Sequence, residues 1–434
     1  MTAVAAASAP MVALPDGPFP RADRLLFWYM ALTPVWWATG LLLPLGLAGM
    51  VALFLRRLPR EPWLAALTGL WALVSAMQLA AAVVNYVFFG ETSISLLHVA
   101  ISPGNSSWIL IGMCIAIGGQ PGVSLSLVAR AVEMQAMWII VLALVSLVAA
   151  YGLGMDSLSI PSPLALLLPP DMAIVKYNLT MGFFGRDELM GDTALRMSLF
   201  FPWPTALSLA GATALLVGLS SDRPALWRTV SVVGGAAGVW FGYSRSVAVC
   251  MALALAGIAL LRLPSRARFG VLVVLVVLGL AANAAVVAGF DPITAMEEAR
   301  TGFTNMRAGS SEARNLLYDI TWRHFLERPL FGYGTYSGPV ARWLPVPLGS
   351  HSSFYGVLYL GGIAIFGALC AAFAATLLAT ALRLADGPRH ATGALAMLVT
   401  FGVVGRGENI NSIVPSLLSS FVWLGTVLRP PDRT

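Results

Sequence analysis

An all-α polytopic membrane protein with about twelve transmembrane helices is the fold class this sequence predicts, on three observations. The 434-residue chain is 58% hydrophobic and only 11% charged, whereas a soluble domain carries about 25% charged residues. Its mean hydropathy is +0.81. Its apolar residues come in continuous runs that suit a hydrocarbon core of about 30 Å, and not in the short alternating segments of a β-barrel.

Residues 1–24 are rich in Ala and Pro, with no basic start before an apolar core. They are expected to form a cytoplasmic tail and not a cleavable signal peptide. Nine spans are predicted between 25 and 289, at 25–38, 39–54, 63–84, 98–118, 132–153, 197–218, 227–241, 246–262 and 269–289. Pro34, Gly40 and Pro44 leave the first two open between a tight hairpin and one broken helix. A periplasmic loop over 290–351 follows, then three spans within 352–428 and a tail at 429–434.

The net charge is +6, nearly all of it arginine, with Lys176 as the one lysine. The arginines sit in short loops and not on one basic domain, which argues against a nucleic-acid partner. Alternating spans put the Arg-rich segments 55–62, 221–228, 262–268, 383–390 and 429–434 on one side. Short loops of this kind stay cytoplasmic, so both termini are predicted there. The opposite side receives 85–97, 154–196, 243–246, 290–351 and 406–409. Arginines at that end of the spans, Arg196, Arg245 and Arg406, either snorkel and pair with loop acids or build an anion site from several helix ends. Cys114, Cys250 and Cys370 lie in apolar runs without CxxC or Cys/His spacing, which predicts neither a disulfide framework nor a structural zinc site.

Pro169 and Pro170 interrupt the 154–196 interval, and Arg196 is expected to open the sixth span with Pro202 and Pro204 in its first turns. The long interval holds two short amphipathic helices. The second runs from Ser311 as a cap through Leu316, Leu317, Ile320 and Phe325 on one face. Asp319 and Arg323 are spaced for an i,i+4 pair, and Pro329 stops the helix. A turn with Gly332 and Gly334 follows, and His351 starts the tenth span.

No HExxH, Walker A loop, Ser-His-Asp spacing or paired-acid metal motif occurs. No metal and no cofactor are therefore expected. Basic side chains dominate instead: Arg196, Arg245, Arg307, Arg314, His324 and His351. Arginine forks match phosphate oxygens and keep their charge. Histidine accepts a proton near neutral pH. Together they suggest transfer from a lipid diphosphate to a hydroxyl. On its own, a histidine at a helix start is more often a capping or interfacial residue than a base.

The neighbouring motifs change that balance. Arg314 with Tyr318 four residues on, Pro329-Leu330-Phe331-Gly332-Tyr333-Gly334, and His351-Ser352 with Gly362 eleven residues after the histidine resemble the O-antigen ligase/polymerase superfamily of bacterial membrane glycosyltransferases. So do Ser244-Arg245-Ser246 at the head of a span and Arg196 ahead of Phe201-Pro202. Tyr318 stands where tryptophan is usual, Ser352 where asparagine is common, and Ile365 where a second glycine is expected.

The resemblance implies a multi-span, GT-C-type glycosyltransferase in the bacterial inner membrane, acting at the periplasmic face without metal and with inversion. It implies an undecaprenyl-diphosphate-linked glycan as donor. The acceptor is a lipid-A core, as in ligation, or another lipid-linked glycan, as in polymerisation. By the same resemblance His351 is the base, Arg196, Arg245 and Arg314 hold the donor diphosphate, and Arg307 and His324 are secondary. A lipid-linked sugar flippase or transporter accounts equally well for twelve spans, but it predicts an internal repeat and mid-span charges; no convincing repeat links the halves, and the arginines lie at span ends.

Overall fold

The computed structural model describes residues 21–56, 58–89, 103–169, 179–187, 192–262, 308–336, 339–341, 344–385 and 388–429. The expected ninth span at 269–289, the first amphipathic helix of the long loop, Arg307 and nearly all of both tails lie outside them.

The described chain is built mainly of helices: α1 (Arg21–Ala31), α2 (Thr33–Thr39), α3 (Leu42–Arg56), α4 (Pro62–Phe89), α5 (Pro103–Gly118), α6 (Leu125–Leu147), α7 (Pro204–Ser220), α8 (Ala225–Phe241), α9 (Arg245–Arg262), α10 (Ala308–Glu327), α11 (Ser353–Leu382), α12 (Pro388–Gly405), α13 (Ile410–Ile413) and α14 (Leu418–Leu428). Three helices among the described residues are long and apolar enough to cross a membrane: Pro62–Phe88, Leu125–Gly152 and Ser353–Leu382. A fourth candidate is the pair Ile410–Ser416 and Leu418–Leu428, bent by 84°. Shorter apolar helices occupy Pro44–Arg56, Ser107–Gly118, Pro204–Ser220 and Arg245–Leu260. The protein is thus a mostly helical membrane protein.

The first two expected spans form a broken element and not two clean helices. Gly40 takes the left-handed conformation that ends α2, its N–H donating to Trp37 O while Leu41 N–H reaches Trp36 O, the pattern of a Schellman cap. The Tyr29 hydroxyl then ties α1 to the start of α3 at Leu42 O.

Buried polar groups lock the bundle. Gln135 on α6 donates to Met30 O at 2.8 Å and Thr33 Oγ1 at 2.9 Å, and accepts from Ser419 Oγ at 2.9 Å. Three chain segments are joined through one satisfied amide. Two turns of α7 and α8 meet with almost no side chain between them, since a Cβ on Gly211 would lie 2.6 Å from Gly235 O and 2.8 Å from Val239 N. Small residues allow such close helix approach in lipid. Glu133, only 3% exposed, receives Arg223 Nε at 3.0 Å and Nη2 at 3.2 Å. Arg223→Ala strands that carboxylate, and a cost of about 3–5 kcal/mol is expected. A lowered unfolding midpoint in detergent, largely restored when Glu133→Leu is added, is the check.

The Arg-rich segments among the described residues gather at one end of the bundle. Arg383 Nε donates to Leu428 O at 2.9 Å, Arg429 Nη1 donates to Gln120 O at 3.0 Å, and Arg389 pairs with Asp222 at 3.4 Å. A surface depression joins Arg56 and Arg60 to Gln120 and Pro121 there.

The strands correct the all-α expectation. The 154–196 interval folds as an antiparallel sheet, β1 (Ser157–Pro161), β2 (Thr180–Asp187) and β3 (Asp192–Met197), in the order β1-β2-β3. A hairpin of β4 (Pro339–Ala341) and β5 (Leu344–Pro347) precedes His351. Arg196 does not open a span. It lies on β3 opposite Gly185, and the helix that follows starts at Pro204 instead of 197. The physical reason is local. Ser198 and Leu199 both donate to Phe183 O, Leu199 turns with φ 54°, and Phe200 and Phe201 plug the core before the helix begins.

Candidate active site

Two breaks in helices create the site. Ser352 caps α11, its Oγ accepting from Phe354 N and Tyr355 N at 3.2 Å each. Serine, asparagine and aspartate serve this position alike, so the Ser352 departure from the family pattern keeps its physical role. His351 is therefore not the first residue of a span, as the sequence suggested. It stands in the turn just outside the cap, partly buried.

The other end of the cluster is the chain between α12 and α13. Ser353 N and Ser353 Oγ both donate to Glu408 O at 3.0 Å, and Ile410 N donates to Ser353 Oγ at 2.8 Å. These bonds place the Glu408 side chain beside the start of α11. Glu408 Oε1 accepts from Arg314 Nη2 at 3.0 Å and from Thr205 Oγ1 at 3.1 Å. Thr205 lies in the first turn of α7, where the helix dipole favours a carboxylate.

Tyr318 completes the frame one helical turn after Arg314. Its hydroxyl donates to His351 O at 3.3 Å, and its ring stacks on Tyr355 with centroids 4.7 Å apart. The i,i+4 spacing of Arg314 and Tyr318 thus puts both on the face of α10 that meets His351. Arg406 lies near enough to Tyr318 to act on its hydroxyl electrostatically.

The hydrogen bonds of Ser350 fix the His351 tautomer. Ser350 Oγ lies 2.6 Å from Pro347 O, to which it must donate. It is also 3.2 Å from His351 Nδ1, toward which it then has only lone pairs to offer. Nδ1 accordingly carries the proton and Nε2 the lone pair. Burial lowers the His351 pKa below the usual imidazole range, Glu408 opposes the shift, and Arg314 adds to it. Glu408 in turn raises the pKa of Arg314. A neutral base and a fixed cation stand side by side.

The turn motif performs a structural task that its sequence did not disclose. Gly362 interrupts α11 with φ 70° and ψ −169°. The interruption frees Tyr359 O and Leu360 O, which accept from Tyr333 N and Gly334 N at 2.8 Å each, while Ile363 N donates to Pro329 O at 2.8 Å. The six-residue turn is thus pinned into the helix break by three backbone bonds. Gly334 fits against α4, where a Cβ would lie 2.7 Å from Ala82 Cα. Arg328 Nη1 donates to Asn85 Oδ1 at 3.0 Å on the same helix.

Arg314 and His351 are brought together. Arg245 begins α9 just after Gly242, whose Cβ would lie 2.6 Å from Pro204 O, so its backbone starts over the same α7 terminus that carries Thr205. Arg196 precedes that terminus on β3. His324 is elsewhere. It sits ten residues along α10 from Arg314, about 15 Å at 1.5 Å per residue, and bonds Glu327 Oε2 at 3.2 Å. Glu408 escaped sequence reasoning as a site residue, although the cluster Arg406-Gly407-Glu408-Asn409 on the expected side of the membrane was its signal. A cavity of about 230 Å³ lies at the opposite end of α7, lined by Arg223, His390, Asp222 and Trp423. It shares no residue with the His351 cluster.

Residues 229–372 match the family model described as O-antigen ligase. The match covers about a third of the chain, from α8 to the middle of α11, and includes Arg245, Arg314, the turn, His351 and Gly362. No curated protein sequence matches the chain. The matched segment, with the motifs it carries, supports membership of the O-antigen ligase/polymerase superfamily.

Proposed function

We propose that the protein transfers a glycan from undecaprenyl diphosphate to a sugar hydroxyl of a lipid-A core at the periplasmic face of the inner membrane. The observation that carries this reading is the placement of His351 beside the Arg314–Glu408 pair, with Ser350 set to accept from Nδ1 and so to leave Nε2 as the base. The acceptor hydroxyl attacks the anomeric carbon and gives its proton to His351 Nε2. The bond from that carbon to the diphosphate oxygen breaks, and undecaprenyl diphosphate leaves with the electron pair, inverting the centre. Arg196, Arg245 and Arg314 hold the diphosphate and offset its growing charge, an electrostatic contribution of the kind that dominates such sites. Glu408 keeps the Arg314 guanidinium oriented before the donor arrives. Twelve crossings with both termini cytoplasmic put the Arg-rich loops inside and this cluster outside. The family match supports assembly of a surface polysaccharide, and the lack of a paired-acid motif in the sequence supports a metal-independent step.

Polymerisation uses the same chemistry with a second lipid-linked glycan as acceptor. Purified protein in liposomes, given undecaprenyl-diphosphate glycan with either acceptor in the presence of chelator, decides between them. The expected result is a glycosylated lipid-A core and released undecaprenyl diphosphate. Movement of the donor between leaflets without any product would sink the transferase reading in favour of a flippase.

A further inference from the structure

The second half of α10 and the turn after it expose an apolar flank. Trp322 and Leu326 lie one helical turn apart on α10, and Leu330 and Phe331 follow in the turn after Glu327. Their exposures are 43%, 57%, 60% and 60%. Lone exposed apolar residues are ordinary, but a continuous stripe of this size marks a contact surface.

Helix lengths place that stripe. Residues 363–382 of α11 span about 30 Å at 1.5 Å per residue, the thickness of a hydrocarbon core. Ile363, the first residue after the break, is 50% exposed, and its N–H is bonded to Pro329. On α4, the stretch from Pro62 to Ala82, where Gly334 docks, is also about 30 Å long. Trp71 Nε1 donates to Thr376 Oγ1 at 3.1 Å, which keeps the two helices in antiparallel register. Both place the turn at the edge of the hydrocarbon.

The start of α11 runs along that edge. Its cap is held at Gly405 and Glu408, at the end of α12, a helix of 18 residues. That length is about 27 Å, so both ends of 353–361 lie at nearly the same height. α10 accompanies this segment, with Tyr318 on Tyr355 at one end and Pro329 at Ile363 at the other. The neighbouring flank of α10 is polar. His324 and the Tyr333 hydroxyl both contact Glu327, and Arg323 pairs with Asp319 at 2.7 Å. An apolar flank with tryptophan beside a charged flank is the pattern of a helix lying in a membrane interface.

We propose that Trp322, Leu326, Leu330 and Phe331 insert into the acyl chains of the leaflet on the side of the His351 cluster, as a wedge that anchors α10 and its turn at the bilayer edge. Ile363, which bonds Pro329 beside the stripe, is exposed at the start of the 363–382 span, as Leu378 and Leu382 are further along it, and this commits the partner to lipid and not to a second copy of the chain. The wedge rests on the membrane fold alone. A chain that never transfers glycan can still insert it.

The test uses full-length protein with Cys114→Ala, Cys250→Ala and Cys370→Ala, reconstituted in phosphatidylcholine nanodiscs. A bimane label is placed in turn at Phe331→Cys, Leu326→Cys and, on the charged flank, Glu327→Cys. The expected result is quenching by lipids spin-labelled near the glycerol end at positions 331 and 326, with loss of quenching by aqueous iodide there, and the reverse at 327. Iodide quenching at 331 and 326 equal to that at 327 overturns the proposal. Shielding from both quenchers also overturns it, because it reports a contact between protein surfaces. If one labelled variant fails to fold, the other position carries the same comparison.

Discussion

His351→Gln is expected to lower glycan transfer by about 10²–10⁴-fold, the usual worth of a positioned general base, while leaving the unfolding midpoint nearly unchanged. The two halves of that expectation have separate origins. The main chain of His351, not its ring, is what the Tyr318 hydroxyl holds. The cap of α11 is Ser352, and the bonds to Glu408 come from Ser353. Removing the imidazole therefore leaves the frame standing. Glutamine keeps polar atoms toward Ser350 but offers no group that accepts a proton near neutral pH. With the diphosphate assigned to the arginines in the proposed mechanism, donor binding should persist, so the loss appears in the rate at saturating donor. A transfer rate within a few-fold of wild type would remove His351 from the chemistry. A collapsed midpoint would make it a structural residue instead.

Gly362→Ala is expected to destabilise the protein and to abolish transfer together. With φ 70° and ψ −169°, Gly362 occupies a backbone region that is essentially reserved for glycine, and a side chain there costs on the order of 1–3 kcal/mol. The added Cβ would also run into Leu330 O and lie 2.6 Å from Pro329 O. The turn cannot then keep its three bonds to the helix break, and α10, which carries Arg314, loses its lower anchor. Gly367→Ala is the matched control. It lies five residues further along the same helix with nothing within 4 Å of its Cβ, so alanine there is neutral or stabilising by about 0.5–1 kcal/mol. Unfolding midpoints and transfer rates of both variants, measured side by side, check the contrast. Equal effects of the two substitutions would mean that the pinned turn has no special role.

How far the fold could be read from residues varied with the range of the cause. Apolar runs depend on composition alone, and the helices at Pro62–Phe89, Leu125–Leu147 and Ser353–Leu382 fall where those runs predict. The shared end of the Arg-rich loops was also legible, because charge placement carries it; Arg383, Arg389 and Arg429 now hold neighbouring loops together. The three-stranded sheet has no clear signature in the sequence: Met181, Phe183 and Phe184 are all buried, so the alternation expected of a half-buried strand breaks after Phe183. Arg196, expected at a helix end, therefore lies on β3, an edge strand of the sheet. Proximity of Arg314 and His351 followed from family motifs and not from spacing. Glu408 reaches them only through tertiary bonds to Ser353 and Thr205, residues far away in the chain, so no local pattern could reveal the pairing. Gly362 was visible as a motif position, but its reason, a helix opened to receive the Gly332–Gly334 turn, is a fact of packing.

If neutral His351 takes the proton of the acceptor hydroxyl, the pH dependence of kcat/KM must report its titration. A base works only when deprotonated, so the rate should fall as pH drops through the pKa of His351. Burial and Arg314 hold that pKa below the ordinary imidazole value of about 6.5. Full activity is expected at neutral pH, with an acidic limb that bends below pH of about 6.5 and is lost from the residual activity of His351→Gln. A limb that bends above that value, or one that survives unchanged in His351→Gln, would contradict it.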